Sequence, residues 1–372
     1  MAHLAYYFST FPALTTTFAQ HQVRATEKLG LRFILAANRP PEPRQFHPED
    51  EDLRQRTFYL TPVRPWTYLE ANLQAWRRWP RRYAQSLPLA LQLRNGSFRQ
   101  PLKNFVHLAG AAVLAEHLLD NPLLEEKLRR ARFIVSNCNF HVENLRRRFP
   151  SLERQRFYVV YGGLDLQAGP WSKPEPPGAD LPLRILHIGR LVPVKAQEVL
   201  IQALARLRDQ GGEFWCRMVG DGPRRDGLQS LVASLNLQDR VQLLGDRFAD
   251  EVARLHEWSQ VLVLSSRSEG TPMVIMEAMA KARPVIAPRL TAIPEMVADG
   301  RTGYLFPPGD IEGLAAKLAR LMAQPEAVVH LGQEGRRRAE ELFDLDRNAR
   351  ELLAVFAREL PGMQGCQEVA AG

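Results

Sequence analysis

The sequence predicts an α/β protein of two domains, each built on a parallel sheet, and three observations carry that reading. The chain has 372 residues, 45% of them hydrophobic and 24% charged, which exceeds one ordinary domain and suits two soluble ones. From 184 to 322 short apolar strands alternate with amphipathic helices, the pattern of a parallel sheet covered on both faces. Residues 168–182, AGPWSKPEPPGADLP, are dense in proline and glycine and read as an interdomain linker.

The elements follow in order. His3–Ser9 reads as a strand, Thr15–Leu29 as a helix ending at Gly30, and Leu31–Ala36 as a second strand, a β-α-β opening. Residues 38–53 are proline-rich and charged and read as a loop. From Trp66 to about Lys127 the pattern is helical, broken at Pro80, Pro88, Pro101 and Pro122. Phe133–Ser136 reads as a strand, Phe140–Phe149 as a helix and Phe157–Tyr161 as a strand closed by Gly162-Gly163. Strands are then expected at 184–188, 214–219, 241–244, 261–265 and 284–287. Helices are expected at 196–207, 225–235, 250–258, 273–281 and 311–322. The domains are thus 1–167 and 183–345 around the linker 168–182, followed by a C-terminal helix and frayed tail at 346–372.

Charge is uneven. Residues 1–175 hold 25 Lys and Arg against 15 Asp and Glu, a balance of +10, whereas the remainder is close to neutral. A basic half suits an anionic surface or acceptor, but no nucleic-acid motif accompanies it, so nucleic acid is not expected as a partner. AWRRWPRRY at 75–83 and LRRRF at 145–149 mix arginine with aromatics, as a helix lying on an anionic bilayer does, or as a solvated basic face with tryptophans in the core. The three cysteines, Cys138, Cys216 and Cys366, lie far apart without ligand spacing, which argues against a disulfide framework or zinc site. The N-terminus lacks a basic segment followed by a long apolar one, so no signal peptide is expected. Phe105–Leu119 is too short to span a bilayer. A cytoplasmic protein is expected, peripheral at the inner face of the membrane if its basic half meets lipid.

Ligands of parallel sheets lie beyond the carboxyl ends of the strands, so the loops there hold the candidate site. In RILHIGRLVPVK, 184–195, a strand ends at Gly189, and Arg190 and Lys195 precede the next helix. Cations and a helix N-terminus suit a diphosphate, although such cations are also common as solvated loop residues. Gly220 lies in VGDGP, 219–223, a tight turn that either borders a base or simply reverses the chain. In SSRSEGTPMVIMEAMAKARPVIA, 265–287, the loop Glu269-Gly270-Thr271-Pro272 leads into a helix whose first amides are free to meet an anion. Glu277 lies one turn further on. A carboxylate accepting two hydroxyl hydrogen bonds is a sugar-holding device, while glutamates near a helix start also merely favour its dipole.

The run E-G-x-P-x-V-x-x-E-A-M-A-x-x-x-P-V-I-A, followed by I-P-E-M-V-x-D-G-x-T-G-x-L-F-P-P-G-D at 293–310, resembles the group 1 glycosyltransferases (family 4). The earlier I-G-R-L-x-x-x-K and V-G-D-G-P fall in that family's order, over about residues 157–345. SxFPxxxxTF, Ser9 to Phe18, is similar to the branch that builds bacterial exopolysaccharide of the colanic-acid type. The resemblance implies the GT-B fold of two Rossmann-like domains, with the C-terminal one complete and the N-terminal one reduced in its sheet.

It also implies a retaining hexosyltransferase that moves a hexose from a UDP-, GDP- or ADP-linked sugar to a polysaccharide or lipid-linked glycan acceptor. No cofactor or metal is implied, and the chain has no Asp-x-Asp motif suited to a metal. Arg190, Lys195 and Glu269 would be catalytic. Arg190 and Lys195 would hold the diphosphate, Glu269 the donor sugar and Glu277 the ribose. Gly189, Gly220, Gly270, Pro272 and the amides of Thr271, Met273 and Val274 would line the donor, with Arg247 of Gly245-Asp246-Arg247 beside the base.

The chain departs from the family at Ala196, Ala282 and Ala292, where glycine is usual. It also lacks a segment near 119–121 that carries the family's sugar-facing histidine, and His107, His117 and His141 do not sit in that motif. A surface or core position is expected for each. A catalytically impaired nucleotide-sugar binder or partner subunit, and an epimerase on the same scaffold, therefore stay as alternatives.

Overall fold

A computed structural model describes residues 4–10, 17–28, 33–39, 50–59, 128–129, 131–166, 176 and 181–359. The helical stretch expected from Trp66 to Lys127, most of the 168–182 linker, His107, His117, Cys366 and the segment from Leu360 onward lie outside these residues. The chain divides into two compact units, one of 1–20, 32–134 and 146–156, the other of 21–31, 135–145 and 157–372.

The first unit carries the two strands of the β-α-β opening. Strand β1 (Leu4–Thr10) and β2 (Phe33–Arg39) pair in parallel, with α1 (Thr17–Lys28) between them in sequence. Where a loop was expected to continue through residue 53, a short helix α2 (Glu51–Arg56) forms instead. Its acidic first turn and basic last turn match the helix dipole, and Arg54 pairs with Glu51 one turn back. Strand β3 (Phe58–Tyr59) then joins β2 in parallel, giving the order β1-β2-β3 among the described residues.

In the second unit, β4 (Ile134–Ser136), which begins at the unit boundary, pairs with β5 (Phe157–Val159); helix α3 (Asn139–Arg148) lies between them in sequence, with 139–145 in this unit. The main sheet follows: β6 (Leu183–Ile188), α4 (Gln197–Asp209), β7 (Phe214–Val219), α5 (Arg225–Ser234), β8 (Val241–Gly245), α6 (Ala249–Trp258), β9 (Val261–Val263), α7 (Met273–Ala280) and β10 (Val285–Pro288). Beyond these lie α8 (Ile293–Met296), β11 (Gly303–Phe306), α9 (Ile311–Ala323), α10 (Pro325–Leu342) and α11 (Leu345–Glu359). Sequence reading had not assigned α8, β11 or α10. β9 ends two residues before the expected Ser265: Leu264 N–H still donates to Ile286 O, and Ser265 and Ser266 turn away to build the loop described below.

All pairings in this sheet are parallel, in the order β11-β10-β9-β6-β7-β8. β6 alternates its side chains between two cores. Leu183 and Ile185 pack with Leu200, Leu204, Leu228 and Leu314 of α4, α5 and α9. Leu186 packs with Leu262, Ile275, Met279 and Ala339 of β9, α7 and α10. Both faces are covered. The chain winds outward from β6 in one direction through β8 and in the other from β9, so the topological switch lies between β6 and β9.

Candidate donor site

The carboxyl ends of β6 and β9 lie side by side at that switch, and their loops are bound to one another. Arg267 N–H donates to Val194 O at 2.8 Å, and Ser265 Oγ donates to Lys195 O at 3.2 Å. The side chains complete the join. Lys195 Nζ lies 2.6 Å from Glu269 Oε1, which also accepts from Ser266 Oγ at 2.6 Å. The lysine side chain is 22% exposed and the glutamate 7%, so this ion pair is largely withdrawn from water.

Underneath, the His187 ring is fully buried, with Nδ1 2.9 Å from Val263 O and Nε2 unpartnered. Burial, aided by the nearby Lys195 charge, pulls His187 down to about 4, so the seat under the lysine is neutral.

The VGDGP turn is packed against the same loop. Gly189 N–H donates to Val219 O, Leu191 N–H to Asp221 O, and Arg224 N–H to Leu191 O. Gly220 adopts φ +123°, and a Cβ there would stand 2.2 Å from Gly189 O. Gly220 thus serves close approach of two backbones, and the turn fixes the shape of the Gly189-Arg190 segment. Arg190 itself is exposed and makes no ion pair among the described residues, leaving its guanidinium free.

Pro272 occupies the N-cap of α7, in extended conformation, and Ile275 N–H turns back to Pro272 O. The N–H groups of Met273 and Val274 bond to no described residue, so the helix presents open donors at its positive end. Thr271 Oγ1 accepts from Asn137 Nδ2 at 2.8 Å, and Asn137 Oδ1 lies 3.2 Å from His141 Nδ1. Half-buried His141 is therefore linked to the loop that leads into α7, two hydrogen bonds from Thr271. Gly270 is exposed between the two halves of that loop. Glu277, 30% exposed, lies on α7 with Oε2 3.6 Å from Nε2 of buried His256. Arg247 follows β8 and is held at 3.4 Å by Glu251.

The segment carrying Asn137 is itself fastened from α8. Glu295 accepts the amides of Asn139 (2.8 Å) and Phe140 (2.6 Å) and the Tyr161 hydroxyl (2.9 Å), capping α3 from outside its own sequence. Burial alone would raise the Glu295 carboxyl, but these donors outweigh it and hold it below the usual range. Burial and the Glu295 charge push Tyr161 up to about 12.

The structure thus gathers Gly189, Lys195, Ser266 and Glu269 at one switch point, with Arg190 and Gly220 on the same loops. Met273, Val274 and Glu277 stand on the helix that follows Glu269. Sequence reading missed Asn137, His187, His256, Ser265 and Ser266. The serine pair following an apolar strand was the one local signal available.

Two of the alanines at positions usually held by glycine adopt the left-handed conformation, Ala196 at φ +47° and Ala282 at φ +53°. Ala292 does not, at φ −82°. Among the described residues no group of three His, Cys, Asp or Glu side chains is placed to hold a metal ion, and no helix is long and apolar enough to cross a membrane. Cys138 and Cys216 are buried free thiols.

Comparison with known proteins agrees with this layout. Residues 173–338 match the group 1 glycosyl transferases. The amylovoran biosynthesis glycosyltransferase AmsK of Erwinia amylovora is 33% identical over 183 residues, 48% of this chain and 45% of that protein. The colanic acid biosynthesis glycosyltransferase WcaL of Escherichia coli, itself a putative assignment, is 30% identical over 211 residues, 55% of this chain and 51% of that one. The matched stretch spans about half the length of these curated relatives. Anabaena HepE, solved with UDP and glucose, superposes with a TM-score of 0.62 at 19% identity, covering 95% of this chain and 99% of that one. Residues 173–338 of this chain are thus similar to the group 1 glycosyl transferases, and the chain shares the GT-B fold of its structural neighbours.

Proposed function

We propose that the chain is a retaining hexosyltransferase that moves a sugar from a nucleoside diphosphate to a polysaccharide or lipid-linked glycan acceptor, without a metal ion. The observation that carries this reading is the Lys195–Glu269 pair between the β6 and β9 loops, with the open amides of Met273 and Val274 on the adjoining helix. Breaking the anomeric C–O bond leaves negative charge on the β-phosphate oxygen. Lys195, the free Arg190 guanidinium and the amides at the start of α7 supply fixed positive potential for it. Glu269 releases part of its bond to Lys195 and accepts hydroxyl hydrogen bonds from the donor sugar. Glu277 accepts those of the ribose. The acceptor hydroxyl attacks from the leaving-group face and passes its proton to the departing phosphate oxygen, which balances the reaction and retains the anomeric configuration.

The names of the exopolysaccharide relatives support a glycan acceptor, and the UDP and glucose bound to HepE support a nucleotide-sugar donor. Exposed Arg146, Arg147 and Arg148 suit an anionic membrane at the cytoplasmic face.

A thermal-shift screen of UDP, GDP, ADP and their sugars identifies the donor. Proton NMR of the product then reads anomeric configuration, and EDTA should leave turnover unchanged. Lys195→Ala and Glu277→Ala should each weaken donor binding or abolish turnover. Full activity in both variants would show that the site is misplaced. Flotation with anionic and neutral liposomes tests the membrane claim, and absence of binding removes it.

A further inference from the structure

His256 sits on α6 with its side chain 2% exposed, and neither ring nitrogen has a hydrogen-bond partner. Such a group is costly unless it is completed in another state of the protein, since a buried polar atom without a partner forfeits its bonds to water. Its place is fixed from behind. His256 O accepts from Ser259 Oγ at 2.9 Å and from Arg283 Nε at 2.8 Å, and Arg283 Nη2 donates to Glu257 O at 3.0 Å. These bonds set the backbone from which the buried imidazole projects. The carboxylate facing it is Glu277, 3.6 Å from Nε2, too long for a hydrogen bond and short enough to close by a rotamer adjustment. Glu277 is 30% exposed, so one edge of its carboxylate faces His256 and the rest stays open.

We infer that His256 is a positioning residue for Glu277: its Nε2–H closes onto Glu277 Oε2 when ligand hydroxyls occupy the open edge, which holds the carboxylate in the orientation that accepts them. The inference rests on the reading of Glu277 as the ribose acceptor. It goes further in assigning an imidazole on a different helix the task of setting that acceptor's geometry and local desolvation. Hydrogen bonds of this kind are commonly long in a ligand-free site and tighten on binding.

The test is calorimetric binding of UDP, GDP and ADP, each beside its 2′,3′-dideoxy counterpart, to the full chain and to three variants. In the wild type the nucleotide that binds should favour its ribose form. Glu277→Gln should shrink that preference. His256→Phe, of similar volume and without nitrogen, should lower affinity for the ribose form about tenfold and leave the dideoxy form unchanged. His256→Gln, whose amide places an N–H near the Nε2 position, should restore most of the loss. Rescue separates positioning from packing, because the glutamine fills the site less well than phenylalanine.

Equal losses for both nucleotide forms in His256→Phe, or no loss where Glu277→Gln shows one, overturn the inference and leave the ribose reading standing. A preference untouched by Glu277→Gln overturns the ribose reading and the inference with it. A wild type that binds none of the three nucleotides overturns the donor reading at its root. Should His256→Phe fail to fold, His256→Met against His256→Gln makes the same comparison.

Discussion

Removing the lysine of the Lys195–Glu269 pair should cost far more than removing its glutamate. Lys195→Met strands a carboxylate that is 7% exposed and keeps the Ser266 hydroxyl as its side-chain donor. Breaking a buried pair from one side costs roughly 3–5 kcal/mol, and the partial exposure of this lysine places the loss near the lower end, about 3 kcal/mol. Glu269→Gln strands an ammonium that is already 22% exposed and can reach water along its own stem. Its loss should be about 1 kcal/mol, and the double variant should resemble Glu269→Gln alone because no charge is left unpaired beneath the loop.

For a unit of this size 1 kcal/mol moves the midpoint by about 2–4 °C, so Lys195→Met should unfold roughly 6–12 °C below the wild type and the other two within about 4 °C. Thermal unfolding of the full chain, read in the transition of the C-terminal unit, measures all four proteins. Equal losses in the two single variants, or additive losses in the double, would refute the argument that burial of the carboxylate dominates the pair.

Other outcomes follow from the same geometry. Gly220→Ala should destabilise by about 3 kcal/mol or more and weaken nucleotide binding, since its Cβ would overlap Gly189 O, a backbone atom that cannot step aside; urea unfolding and calorimetry check both. Ala282→Gly, at φ +53° and fully buried, gains about 1 kcal/mol of strain relief and loses about as much in methyl burial and unfolded-chain entropy, so its denaturation midpoint should scarcely move.

Stability should fall as pH drops from 6.5 through about 4. The unfolded chain takes up a proton at His187 before the buried ring does, and His187→Gln should flatten that limb in urea titrations. Glu295, held low, contributes stability present above the ordinary carboxylate range and lost as pH falls below it. Glu295→Gln should remove this lower limb. At alkaline pH the raised Tyr161 acts in the other sense: its contribution is complete below about 10 and disappears as pH rises through about 12.

Local periodicity and turn chemistry are written in the chain itself, and they were enough for much of the second unit. Phe214–Val219 is a strand with the expected bounds, and Met273–Ala280 begins directly after Pro272, whose missing N–H a helix start does not need. The short α2 was hidden because residues 38–53 carry proline and charge, and a single turn nucleated by Glu51 and Arg54 leaves little periodic trace.

Partners distant in sequence were not legible. Lys195 and Glu269 were both suspected, yet their pairing follows from the order β9-β6, which sets together two loops that the sequence separates by three helices and three strands. The orphaned ring of His256 and the cap that Glu295 places on α3 likewise arise from helices meeting in space. Spacing along a strand or helix encodes which face a residue takes. Which other face it meets is settled by burial of the two cores and by the handedness of the crossovers between parallel strands.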